Sequence, residues 1–175
     1  MLKTLSRKII LKNKWFKVYH DKFLNRNGAV GDYYIFDSLY TSLIIPVRKG
    51  NIILEKQFRY PLKKWVIELP AGCVEKNSNF LKTAAKELEE ETGYRAKKII
   101  LAGSFFPSPG NSPKVCQVFI AKDLEFIKKN EEETEIIKLF EVPIKEVYQM
   151  AEKGKIKDGY TLAALAIAKN KLLNK

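Results

Sequence analysis

The chain has 175 residues, 46% hydrophobic and 30% charged, with a formal net charge of +12. That length suits one domain with a full core, and no apolar run approaches the roughly 20 residues that a membrane-spanning helix needs. Cys73 and Cys116 form neither a metal-ligand spacing nor a disulfide framework, and residues 1–22 are too interrupted by lysine for a signal peptide, so a cytoplasmic location is expected. The positive charge fits attraction of an anionic substrate. It is spread mostly over dispersed lysines, with no RNP motif and no C₂H₂ spacing, so nucleic acid is not expected as the main partner.

In chain order, Lys8 to Lys12 and Trp15 to Tyr19 read as strands rich in β-branched and aromatic residues. Asn25-Arg26-Asn27-Gly28 is a turn leading to a third strand, Asp32 to Phe36. These opening strands cannot bury an apolar face alone. Ser42 to Val47 and Asn51 to Glu55 flank a turn at Lys49-Gly50, and their continuous apolar character predicts strands covered on both faces. Trp65 to Glu68 is a further short strand, followed by a loop from Gly72 to Ser78.

Phe80, Leu81, Ala84, Ala85 and Leu88 recur at helical spacing, with Ser78 or Asn79 as N-cap and Gly93 as a left-handed C-cap. On that helix Glu87 and Glu91 lie one turn apart with Glu90 beside them, while Glu89 points elsewhere. Like charges at this spacing repel, and carboxylates near a helix C-terminus oppose the macrodipole. Clustered hard oxygen donors of this kind suit Mg²⁺ or Mn²⁺. Beyond the helix, Lys97 to Gly103 and Val115 to Ala121 read as strands around a Pro- and Gly-rich loop, residues 105–112. An acidic run, residues 131–135, precedes a strand at Ile136 to Val142. Two helices close the chain, Ile144 to Lys153 and Thr161 to Leu173, the second packing through Leu162, Leu165, Ala166, Ala168 and Leu172. Strands on both sides of a carboxylate-bearing helix, with helices at the end, give an α+β class.

The order Gly72, Glu87, Leu88, Glu90, Glu91, Gly93 resembles the signature of the Nudix hydrolases, which runs Gly, five residues, Glu, seven residues, Arg-Glu-aliphatic-any-Glu-Glu-any-Gly. Ser78 stands where that signature has its first Glu, and Lys86 where it has Arg. Glu68-Leu69-Pro70-Ala71-Gly72, Glu91-Thr92-Gly93-Tyr94 and the Ser-Pro-Gly loop at residues 108–110 look like the ADP-ribose pyrophosphatase branch, although Lys114 replaces a glutamate usual after that loop.

The resemblance implies a Nudix fold of mixed β-sheets between helices: one domain over residues 1–175, with an N-terminal antiparallel β segment at 1–41 that dimerises and a core at 42–175. It implies Mg²⁺-dependent hydrolysis of a diphosphate bond, with Mn²⁺ as a substitute, and ADP-ribose giving AMP and ribose 5-phosphate. By the same resemblance the metal ligands are the Ala71 carbonyl, Glu87, Glu90, Glu91 and Glu135, and the catalytic residues Glu133, Glu90 and Glu91. Arg59, Glu68, Pro109 and Gly110 contact substrate, and Arg59 suits that role chemically because a guanidinium meets phosphate oxygens two at a time. A nucleotide-sugar substrate such as GDP-mannose, and a non-catalytic nucleotide- or RNA-binding domain, stay open as alternatives.

Overall fold

The computed structural model describes residues 2–128 and 137–174. The chain divides into two compact units, Met1–Tyr40 with Phe106–Val115, and Thr41–Phe105 with Cys116–Lys175.

The first unit is a three-stranded antiparallel sheet of β1 (Lys3–Lys12), β2 (Phe16–Leu24) and β3 (Val30–Ser38), in that order. β1 begins five residues earlier than the sequence pattern predicts, because Lys3 still pairs with Leu24 at the far end of β2. Asn13 makes the first turn by accepting from the Trp15 and Phe16 amides at 2.8 and 2.9 Å. Gly28, at φ 82°, makes the second, as its sequence context predicts. The 106–115 loop joins this unit where Phe36 N donates to Asn111 O at 2.8 Å and the Tyr33 hydroxyl donates to Gly110 O. Every residue of β1 is exposed, Ile9, Ile10 and Leu11 among them.

Across β1 and β2, Arg7 donates to both carboxylate oxygens of Asp21 at 2.8 and 2.7 Å. That hydrogen bond holds the Asp21 carboxyl below its ordinary value of 3.8, against the opposing effect of burial. A carboxyl depressed in the folded state contributes stability that is fully present above its unfolded pKa and is lost as pH falls through the folded one. Thermal unfolding of Asp21→Asn should therefore fall below wild type at pH 7, and the gap should close below pH 3.8.

The second unit is built on a mixed sheet. In chain order it holds β4 (Thr41–Arg48), β5 (Asn51–Arg59), β6 (Lys64–Glu68), β7 (Ala71–Cys73), α1 (Phe80–Thr92), β8 (Tyr94–Phe105), β9 (Cys116–Phe126), β10 (Ile137–Pro143), α2 (Ile144–Glu152) and α3 (Gly159–Leu173). The strand order is β10-β5-β4-β9-β8, with β6 added to β5 and β7 to β4. Only the β4–β9 pairing is parallel among the described strands.

Strand alternation divides the core between the two faces of this sheet. Leu43, Ile45, Val118 and Ile120 point to one side, where Val147 of α2 and Ala164, Leu165 and Ala168 of α3 complete a cluster. Ile44, Phe119 and Ala121 point to the other and meet Ala84 and Leu88 of α1. The six residues from Thr41 to Pro46 are all buried, including the apolar run Leu43 to Pro46 within the strand expected to be covered on both faces, while Val47 is half-buried.

Two helix faces differ from their sequence pattern. Leu81 is 49% exposed, and Thr83 and Thr92 take buried places instead. Each threonine hydroxyl has a hydrogen-bond partner there, Ser78 Oγ for Thr83 and Leu88 O for Thr92. In α3, Ala166 is exposed and Ala164 is buried. Because α3 is apolar nearly all round, periodicity alone does not fix which of its faces meets the sheet.

Candidate active site

The site is assembled where three elements of the second unit meet. β7 pairs antiparallel with β4, Leu43 opposite Ala71 and Ser42 opposite Gly72. Ser42 Oγ donates to Phe80 O at 2.7 Å, tying β4 to the first residue of α1. Thr161 Oγ1, buried in the first turn of α3, accepts from Leu69 N at 3.0 Å and fixes the approach to β7. Asn79 is the N-cap of α1, its Oδ1 accepting from Lys82 N at 2.9 Å, and Gly93 is the C-cap at φ 75°.

This frame brings two carboxylates of α1 against β7. Glu91 Oε2 accepts from Ala71 N at 3.1 Å. Glu87 lies over Gly72 so closely that a Cβ there would stand 2.0 Å from Glu87 Oε1 and 2.2 Å from Cδ. A larger residue at 72 would therefore displace the Glu87 side chain from this position. The other two glutamates have cationic partners. Glu90 pairs with Lys86 one turn earlier at 3.3 Å, and the hydrogen bond to Glu90 raises the Lys86 ammonium above its usual range. Glu89 faces away to Arg95, whose Nε and Nη2 donate at 2.6 and 3.0 Å and hold its carboxyl low.

Arg59 and Glu68 meet across the β5–β6 hairpin. The Arg59 Nε donates to both Glu68 oxygens at 3.0 Å and Nη2 adds a further bond. The Glu68 side chain is 7% exposed and that of Arg59 43%. Glu55 is a residue that the sequence reading missed. It is 1% exposed and stands directly opposite Glu68 in the strand register. Like charges directly opposite one another disfavour a sheet. A glutamate closing the apolar run Ile52-Ile53-Leu54 was the available signal.

Pro109 and Gly110 belong to the other unit, with the three-stranded sheet. Glu133 and Glu135 lie outside the described residues. Among the described residues, no three His, Cys, Asp or Glu side chains gather as a group that could hold a metal ion. The oxygen donors nevertheless fit a hard divalent cation of the Mg²⁺ kind, which is commonly bound through one or two carboxylates, with water and substrate phosphates completing its shell. Glu87 over Gly72 and Glu91 on the Ala71 amide supply such a pair, and the missing Cβ at Gly72 leaves the Glu87 carboxylate its place.

Residues 39–165 match the NUDIX domain, and residues 2–36 match the nucleoside diphosphate sugar hydrolase N-terminal domain. The chain belongs to the Nudix family. Its Nudix relatives include the ADP-ribose pyrophosphatase of Bacillus subtilis, 32% identical over 93% of this chain and 90% of that one. The methanol dehydrogenase activator of Bacillus methanolicus is 31% identical over 93% of this chain and 90% of its own length. The GDP-mannose pyrophosphatase of Yersinia enterocolitica is 27% identical over 93% and 92%. Among solved structures, the crystal structure of an ADP compounds hydrolase shares the Nudix fold at a TM-score of 0.85, covering 98% of this chain and 94% of that one at 16% identity. The protein is thus a Nudix hydrolase, and Nudix hydrolases work with divalent metal ions. Among the described residues no helix is long and apolar enough to cross a membrane.

Proposed function

We propose that this Nudix hydrolase cleaves ADP-ribose to AMP and ribose 5-phosphate, using Mg²⁺, as a cytosolic homodimer. The observation that carries the reading is the seating of Glu91 on the Ala71 amide and of Glu87 over Gly72. It is supported by the identity to the Bacillus subtilis ADP-ribose pyrophosphatase across nearly the whole of both chains.

Glu87, Glu91, Glu90 and the Ala71 carbonyl would hold the cation, with Glu135 completing the set. Bound there, it supplies positive charge to the scissile diphosphate and lowers the pKa of a water. The chain's own groups do the rest. Lys86 steadies Glu90 and offsets the repulsion among neighbouring carboxylates. Glu68 fixes the Arg59 guanidinium, whose planar array of five N–H donors matches phosphate oxygens. Glu133 takes the proton of the attacking water in this scheme.

A GDP-sugar is the second reading, favoured by the Yersinia GDP-mannose pyrophosphatase match and by Lys114 in place of the loop's usual glutamate. Comparing kcat/KM for ADP-ribose and GDP-mannose decides between them. A preference for ADP-ribose of tenfold or more is expected, and the reverse preference would overturn the substrate while leaving the chemistry.

The homodimer is supported by the exposed apolar side chains of β1 to β3. Leu5, Ile9, Ile10 and Leu11 are each about half exposed on β1, which is an edge strand. Edge strands carrying apolar side chains invite pairing with another chain. Light scattering should give a dimer for wild type and a monomer for Ile9→Glu/Leu11→Glu. A monomeric wild type would refute the assembly. The cytosolic assignment draws on the cysteine usage, since Cys73 and Cys116 form no disulfide framework in the sequence.

A further inference from the structure

A cavity of about 500 Å³ in the core unit opens at the end of β4 remote from β7. Ser42 pairs with Gly72 at one end of β4 and Arg48 lines the cavity at the other, about 20 Å away at some 3.3 Å per strand residue. Among the described residues Arg48, Lys49, Lys122 and Lys171 line it, against one lining carboxylate, Asp123. They come from the end of β4, the β4–β5 turn, β9 and the last turn of α3, so the fold gathers charges that are distant in sequence.

Two of these cations are already engaged. Arg48 Nη1 donates to Glu141 at 2.8 Å, and Lys171 Nζ donates to the Leu101 and Ala102 carbonyls at 3.1 and 3.0 Å. Lys49 and Lys122 make no ion pair among the described residues. Lys49 also sits at φ 47°, followed by Gly50 at 82°. Hairpin turns with two positive φ values favour Asn, Asp or Gly at the first position. A lysine there meets no backbone need, and it sets a charge at the cavity wall.

We propose that this cavity binds a phosphate-bearing small molecule of nucleotide size, at a site separate from the hydrolytic one. Its volume falls in the range of small-molecule pockets, and clustered cations over low-dielectric walls concentrate polyanions. Lys49 and Lys122 supply the charge, while Glu141 and the two carbonyls keep Arg48 and Lys171 in position.

The test uses the full chain with EDTA and inorganic tripolyphosphate as the probe, followed by calorimetry and by amide NMR shifts. Wild type should bind, with shifts at residues 48–50 and 122–124, and Lys49→Gln/Lys122→Gln should bind at least tenfold more weakly. The same double variant should keep kcat/KM for its nucleotide substrate within about twofold and its unfolding temperature close to wild type. If it does not fold, Lys122→Gln alone should weaken binding about threefold. Absence of binding, equal binding by wild type and variant, or shifts confined to residues 71–73 and α1 would overturn the proposal.

Discussion

Glu91→Gln should lower kcat by about 10³, which corresponds to roughly 4 kcal/mol of transition-state stabilisation. Glutamine keeps an oxygen that accepts from Ala71 N, so the contact joining α1 to β7 survives. What is lost is one negative charge at the proposed cation site. The unfolding temperature should stay near wild type or rise slightly, because one like charge leaves a crowded helix end. Steady-state kinetics beside a thermal melt separates the two effects. Activity within tenfold of wild type would remove Glu91 from the mechanism.

Gly72→Ala should be nearly as damaging, for a different reason. The added methyl would stand 2.0 Å from Glu87 Oε1, well inside any real contact, so the carboxylate must swing away or β7 must move off β4. A displacement of about 1 Å in a catalytic group can cost on the order of 10² in rate, and that fall in kcat is expected here. Gly159→Ala is the control, since a Cβ at residue 159 meets nothing within 4 Å. If Gly72→Ala retains full activity, the position of Glu87 against β7 does not matter to catalysis.

Both variants act through contacts that the sequence indicates only in part. The apolar runs of β4 and β5 and the helical spacing through α1 are local signals, and the structure agrees with them closely. β7 is not legible in the same way. Ala-Gly-Cys has no strand propensity of its own, and only pairing with residues 41–43 makes it a strand. Ser78 and Asn79 were equal as caps on residue type, and the geometry gives the role to Asn79 while Ser78 turns to Thr83. The signature spacing identifies Glu87 and Glu91, but not that one rests on a glycine and the other on an amide.

Pairings between distant segments were beyond the sequence reading. Arg59 with Glu68, and Glu55 opposite Glu68, depend on the register of the β5–β6 hairpin. The 106–115 loop associates with the N-terminal strands through Phe36 and Tyr33, which no local pattern announces. The basic cavity joins residues 48–49, 122 and 171, each an ordinary surface cation when read along the chain.

The most direct measurement is product analysis of ADP-ribose incubated with the protein, in Mg²⁺ and again in excess EDTA. AMP and ribose 5-phosphate in equal amounts with Mg²⁺, and neither with EDTA, is the outcome that the seating of Glu87 and Glu91 against Ala71-Gly72 predicts. Undiminished cleavage in EDTA, or no cleavage by folded protein with Mg²⁺, would contradict it.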